Sequence, residues 1–238
     1  MSGARLMPDS PIAIGYSLAL GLKQGKWSKR KRDVRGIVIH TTGRGPIARF
    51  EREGARKGDA TPFDSAVRIY SSIYDAGPHY VVGQEPGEVT QLCPEHVAAW
   101  HVGFGLGQAS ARVYGWRNWH KLPSCAWWRE RWTHLDSPLD LVGADLWTDW
   151  SANHGTIGIE VVPPMEPGAP WSQSAWATVL ALSLDISKRH GIPFEREYVI
   201  SHSDAHPLAR SSKGFPYDPP PALWTWDRMR ALCVRDAN

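Results

Sequence analysis

Apolar positions along the chain fall into two kinds of run. Arg35 to His40 is an almost unbroken apolar stretch that ends in a histidine, the pattern of a strand covered on both faces. Thr156 to Val161 and Tyr198 to Ser201 predict two more strands. Tyr80-Val81-Val82-Gly83 and Val89-Thr90-Gln91-Leu92 flank the turn Gln84-Glu85-Pro86-Gly87, which predicts a hairpin. From about Ser172 to His190 the period changes: Trp176, Val179, Leu180 and Leu184 recur at helical spacing, Ser172 is placed to cap the start, and Gly191 with Pro193 ends the helix. Phe50 to Lys57 and Ala222 to Val234 carry weaker helical patterns, the last docking through Leu223, Trp226 and Met229. Strands alternating with helices predict an α/β fold, a single domain with a central mixed β-sheet flanked by helices.

Three segments stand outside that alternation. Residues 1–33 read as an N-terminal extension to a domain over residues 34–238. Within the extension, Pro11 to Leu22 is apolar like a short export-signal core. Only Arg5 precedes it as a cation, Asp9 lies beside it, and Lys23-Gln24-Gly25-Lys26 stands where a small-residue cleavage site belongs. It is also too short to span a bilayer. The expectation is a strand or helix packed on the domain, with no clear signal peptide and no stable membrane insertion. The basic run Lys26 to Arg35 reads as a solvated linker. Residues 111–150 hold seven of the thirteen tryptophans without a regular period and read as a Trp-rich insertion. Two roles stay open for it: a cover or sugar-stacking wall over a groove, or a satellite core burying Trp127, Trp128 and Trp132.

Composition narrows the function classes. With 238 residues, 42% of them apolar, the chain can build one substantial core. A net charge of +3 gives mild attraction to anionic polymers and names no partner. Neither a base-stacking sheet motif nor a groove-binding helix accompanies the basic run, so nucleic acid is not an expected partner. Cys93, Cys125 and Cys233 are odd in number and widely spaced, which indicates neither a disulfide framework nor an all-thiolate metal site.

The candidate chemistry lies at strand ends. His40 terminates an apolar strand and is followed by Thr41-Thr42-Gly43-Arg44-Gly45, and His202 follows Val199-Ile200-Ser201 in the same way. Asp218 sits in Gly214-Phe215-Pro216-Tyr217-Asp218-Pro219-Pro220, where the prolines stiffen the backbone around a carboxylate. Two imidazoles and a carboxylate suit zinc, which in catalytic sites keeps a fourth position for water. Glu160 ends the strand Ile157-Gly158-Ile159, where a carboxylate is costly unless partners are close, and Gly158 permits a close approach of another group to the backbone. Single histidines more commonly settle on backbone carbonyls, which is the plain reading of His79 and His101 taken alone. His190 ends the long helix, where the helix dipole favours a cation. His120, His134 and His154 carry no readable role.

Taken together, these phrases resemble the zinc N-acetylmuramoyl-L-alanine amidases, which share a fold with peptidoglycan recognition proteins. The resemblance covers roughly Arg35 to Trp226 and rests on Ile37-Val38-Ile39-His40-Thr41-Thr42, Pro78-His79-Tyr80-Val81-Val82, Ala99-Trp100-His101-Val102-Gly103, Ile157-Gly158-Ile159-Glu160, His202-Ser203-Asp204 and Asp218-Pro219, in that order. It implies one zinc ion held by His40, His202 and Asp218, with Asp204 and His206 as alternatives for the third ligand because the interval from His202 to Asp218 is long. It implies Glu160 as the catalytic base and Lys213 or His79 at the oxyanion; Pro216 stands where the family commonly has a lysine. His79, His101 and Thr41 would line the substrate. The implied substrate is peptidoglycan or a muropeptide, cut between N-acetylmuramic acid and L-alanine by an endolysin-like, wall-lytic enzyme. Two other functions stay open: a cytosolic recycling amidase for anhydro-muropeptides, and a non-catalytic peptidoglycan-binding module. A lytic enzyme made in the cytoplasm and acting in the periplasm or wall would need a delivery partner, and an inhibitor becomes plausible.

Overall fold

The computed structural model describes residues 8–13, 15–16, 27–31, 33–72, 76–102, 152–196, 198–202, 218–220 and 223–236. Eight strands appear among them: β1 (Gly15–Tyr16), β2 (Trp27–Lys29), β3 (Gly36–Thr41), β4 (Tyr80–Val82), β5 (Val89–Gln91), β6 (Val97–Ala99), β7 (Thr156–Val161) and β8 (Val199–Ser201). Six of them form one sheet in the order β1-β5-β4-β7-β3-β8, and β2 with β6 forms a separate antiparallel pair. Within the large sheet only β4 and β5 run antiparallel, as the predicted hairpin. The pairs β3–β7, β3–β8, β4–β7 and β1–β5 are parallel, so the sheet is mixed.

Strand alternation divides the apolar residues between two layers. Ile37 and Ile39 of β3, Ile157, Ile159 and Val161 of β7, Tyr80 and Val82 of β4 and Val199 of β8 join one core cluster. Against them pack the helices α4 (Gln173–His190) and α5 (Trp226–Asp236), through Trp176, Val179, Leu180, Ile186 and Met229. On the other face Val81 and Val162 meet Ala66, Val67 and Tyr70 of α3 (Pro62–Ser72). Full burial of each Ile in the two central strands contributes roughly 1.5–3 kcal/mol. Those strands are continuous apolar runs because both faces are covered.

The long helix begins and ends as its sequence implies. Ser172 Oγ accepts from Ala175 N at 3.0 Å, and Gly191 closes the helix in the left-handed region with φ 64°. Leu184, however, is 40% exposed, while Ser183 and Ile186 are buried. Seven residues beyond Trp176 bring a helix back to nearly the same face, and eight overshoot it by about 80°. The segment expected as a helix over Phe50 to Lys57 starts earlier, as α1 (Gly45–Arg49), and continues through a π-helical turn (Phe50–Gly54) into α2 (Ala55–Lys57). Helix α5 starts at Trp226, not Ala222. Helix α3 and strands β2 and β6 had no clear sequence signal.

The described residues near the N-terminus join the fold. Gly15–Tyr16 pairs with β5 at the sheet edge, in keeping with a strand packed on the domain, and Asp9 Oδ2 accepts from Gln91 Nε2 at 2.5 Å and from Glu95 N at 2.8 Å. The reading of Lys26 to Arg35 as a solvated linker is corrected by β2 and by Arg30. That guanidinium reaches inward and donates to the carbonyls of Glu95, Val97, Asn153, His154 and Thr156 at 2.8–3.4 Å. Residues 111–150, and Cys125 with them, lie outside the described residues. Among the described residues, no helix is long and apolar enough to cross a membrane.

Candidate metal and catalytic site

Three parallel strands deliver the site to one end of the sheet. On β3 and β7 the residues between the core isoleucines face the side away from α4: Val38 and His40 on one strand, Gly158 and Glu160 on the other, paired as Val38↔Gly158 and His40↔Glu160. Strand β8 lies on the other side of β3 in register Ile39↔Ser201, so His202 emerges next to His40. The carboxyl ends of parallel strands are where open α/β sheets place their chemistry.

His40, His202 and Asp218 converge there, all buried, each offering a ligand atom within 4.8 Å of the others. His40 Nδ1 lies 2.9 Å from His202 Nδ1, which lies 3.0 Å from Asp218 Oδ2, and His40 Nδ1 to Asp218 Oδ2 is 3.9 Å. Ligands on a tetrahedral zinc with bonds of about 2.0–2.1 Å stand about 3.3 Å apart. The three separations bracket that value, so the donor set of two imidazole nitrogens and one carboxylate oxygen fits zinc. Thr41 N donates to Asp218 Oδ1 at 2.7 Å, leaving Oδ2 turned to the histidines. Burial pushes the Asp218 carboxyl up, but hydrogen bonds from His202 and His40 outweigh it and hold the group well below the usual carboxylate range.

Glu160 is placed beside this cluster, with Oε1 3.9 Å from His40 Nδ1 and its side chain 12% exposed. The carboxylate is therefore near the donors, at the edge of the buried cluster. Thr41, expected at the substrate, uses its backbone N–H on Asp218 and its hydroxyl on Val161 O at 3.2 Å. His101 lies against the cluster: its Nδ1 is 3.0 Å from His40 Nε2, and its Nε2 is 3.2 Å from Thr156 Oγ1. Burial and the neighbouring His40, His79 and His202 keep its imidazole well below the ordinary histidine range, hence neutral at pH 7. His79 is completely enclosed. Its Nδ1 accepts from Gly158 N at 3.0 Å, and its Nε2 lies 3.1 Å from both Val97 O and Arg30 Nη2. Burial first, then Arg30, lowers His79 to about 3. Lys213, Asp204 and His206 lie outside the described residues.

Supporting residues were less legible. Asn153 Oδ1 accepts from His101 N at 3.0 Å and Val102 N at 2.8 Å, fixing the backbone that carries His101. Asn153 and Arg30 offered no sequence signal, because an isolated Asn and one cation in a basic run are common on surfaces. An apolar groove of about 540 Å³ begins two residues beyond Glu160, with Val162, Pro163, Met165, Phe50 and Phe63 among its walls.

Solved structures to which the chain is similar include an AmpD derivative, 17% identical over 91% of this chain and 96% of that one, with a TM-score of 0.47. AmiD from E. coli, solved with anhydro-N-acetylmuramic acid-L-Ala-D-gamma-Glu-L-Lys, is 21% identical over 83% of this chain and 56% of that one, with a TM-score of 0.44. LysC from Clostridium intestinale is 13% identical over 87% and 89%, with a TM-score of 0.43. A sequence comparison with curated proteins finds no match. The family described as N-acetylmuramoyl-L-alanine amidase matches residues 30–218. That match runs from the arginine that ties β2 into the fold to the aspartate that completes the cluster, and on it the chain belongs to the N-acetylmuramoyl-L-alanine amidases, hydrolases of an amide bond in peptidoglycan.

Proposed function

We propose that the chain is a zinc-dependent amidase that cuts between N-acetylmuramic acid and L-alanine, and that it acts on the polymeric wall. The observation that carries this reading is the convergence of His40 Nδ1, His202 Nδ1 and an Asp218 oxygen beside Glu160. His40, His202 and Asp218 would hold the ion. Zinc bound there supplies Lewis acidity to the lactyl carbonyl and lowers the pKa of a water toward about 7.

The protein's own residues do the rest. Glu160 takes a proton from the attacking water and returns it to the departing alanine nitrogen, so the products are a carboxylate and an amine. Thr41 N–H keeps one Asp218 oxygen engaged and so orients the other. Lys213 is assigned to the charge that develops on the carbonyl oxygen. His79, with both ring nitrogens engaged inside the protein, is assigned to holding β4 against β7. The groove beyond Glu160 gives a bound substrate an apolar wall. The seven tryptophans of residues 111–150 and the mild positive charge together support a polymeric wall as substrate.

The test is mass spectrometry of intact sacculi and of soluble anhydro-muropeptides after digestion by wild type and by Glu160→Gln, with zinc measured in both proteins. Release of L-alanine-headed stem peptides from sacculi by zinc-loaded wild type, and a loss of about 10²–10⁴-fold in the zinc-loaded variant, is the expected result. Cleavage of soluble muropeptides alone would move the function to recycling. A wild type that takes up no zinc and cuts neither substrate would leave a binding module.

A further inference from the structure

His101 lies between the proposed metal ligand His40 and the strand β7, and the strand is shaped to receive it. A Cβ at Gly158 would stand 2.5 Å from both Cγ and Nδ1 of His101, so the imidazole rests directly on the backbone at that residue. The rings of His40 and His101 meet edge to face, with centroids 5.1 Å apart and planes at 82°. That geometry aims His40 Nε2 at His101 Nδ1, 3.0 Å away, while His101 Nε2 reaches Thr156 Oγ1 at 3.2 Å. Asn153 holds the backbone of residues 101 and 102 from the other side.

We propose that His101, seated on Gly158, is a positioning residue that fixes the ring orientation and tautomer of His40, so that the His40 Nδ1 lone pair faces the metal. The inference rests on the zinc reading above. An imidazole that binds metal through Nδ1 carries its proton on Nε2 and needs an acceptor for it. His101 Nδ1 is that acceptor. Its own proton then sits on Nε2 and is donated to the Thr156 hydroxyl, so one proton order runs from His40 through His101 to β7. His40 is fully enclosed, and solvent does not substitute for a lost acceptor. Gly158 is thereby required for space, although its backbone is ordinary extended strand. On this proposal His101 acts from behind the ligand His40.

Substitutions at residue 101 separate the proton acceptor from ring bulk. His101→Asn keeps an oxygen close to the place of Nδ1, His101→Gln puts its amide near the place of Nε2, and His101→Leu removes both. Zinc affinity is read by competition with a chromophoric chelator. Leu and Gln are expected to weaken binding about 10–100-fold, with Asn staying close to wild type. Gly158→Ala, which forces the ring off the strand, is expected to behave like Leu. A direct measurement stands independent of how the variants fold: in ¹⁵N-labelled, zinc-loaded wild type, the His40 Nε2 proton should couple across its hydrogen bond to His101 Nδ1, with His101 protonated at Nε2. Equal zinc affinity of wild type and a folded His101→Leu, or a His101 protonated at Nδ1, overturns the proposal while leaving the amidase reading intact. A wild type that binds no zinc overturns both.

Discussion

Replacing Glu95 by Gln tests how the sheet is joined to its long helix. Glu95 is 3% exposed. Its Oε1 accepts from Tyr80 Oη at 2.6 Å and Arg189 Nη2 at 2.8 Å, and its Oε2 from Arg189 Nη1 and, at 2.6 Å, His190 Nε2. One carboxylate thus links β4 to the last turn of α4. Burial pushes the carboxyl up, but the hydrogen bonds from Arg189, His190 and Tyr80 outweigh it and lower the group from 4.5 to about 2. A displacement of that size corresponds to roughly 3 kcal/mol of stability at pH 7. A depressed carboxyl contributes fully above its unfolded value and loses the contribution as pH falls through the folded one. The gap between wild type and Glu95→Gln is therefore about 3 kcal/mol from pH 7 down to about 5, and shrinks to about 1.4 kcal/mol at pH 3. Urea unfolding of both proteins at pH 7, 5, 4 and 3 measures it. A gap that stays constant down to pH 3, or one below about 1 kcal/mol at pH 7, refutes the reasoning.

Other perturbations have equally definite outcomes. Arg30→Met leaves five carbonyls without their shared guanidinium and is expected to cost about 3–5 kcal/mol in denaturant unfolding. Ser172→Ala removes the N-cap of α4 and should cost about 1 kcal/mol by the same assay, with activity unchanged. Dialysis against a strong chelator should abolish hydrolysis and added zinc should restore it. Asp218→Ala should prevent that restoration, with bound zinc measured alongside activity.

The long helix, the hairpin and the central strands were legible because each rests on local chemistry. Ser172 and Gly191 mark helix ends through their own backbone and side-chain preferences, and the period of Trp176, Val179 and Leu180 needs no partner to be seen. The short strands β2 and β6 were missed because three paired residues apiece hold too little pattern to show a period. Arg30 was misread for a related reason: a basic run looks solvated until the carbonyls that enclose one member of it are in place.

The same division holds at the site. His40, His202, Asp218 and Glu160 could be named as candidates from the sequence, since each ends a strand or sits in a proline-stiffened loop and their order matches a family pattern. Their separations could not, because residues 162 positions apart in the chain come to 2.9 Å only through the β3–β8 register. Gly158 could be seen to allow a close approach, yet the group that makes it was hidden until the fold laid the His101 ring there. Local preference and periodicity determine which elements form and which residues end them. Which side chain meets which is decided by strand pairing and packing, interactions between segments far apart in the chain that no short window of sequence contains.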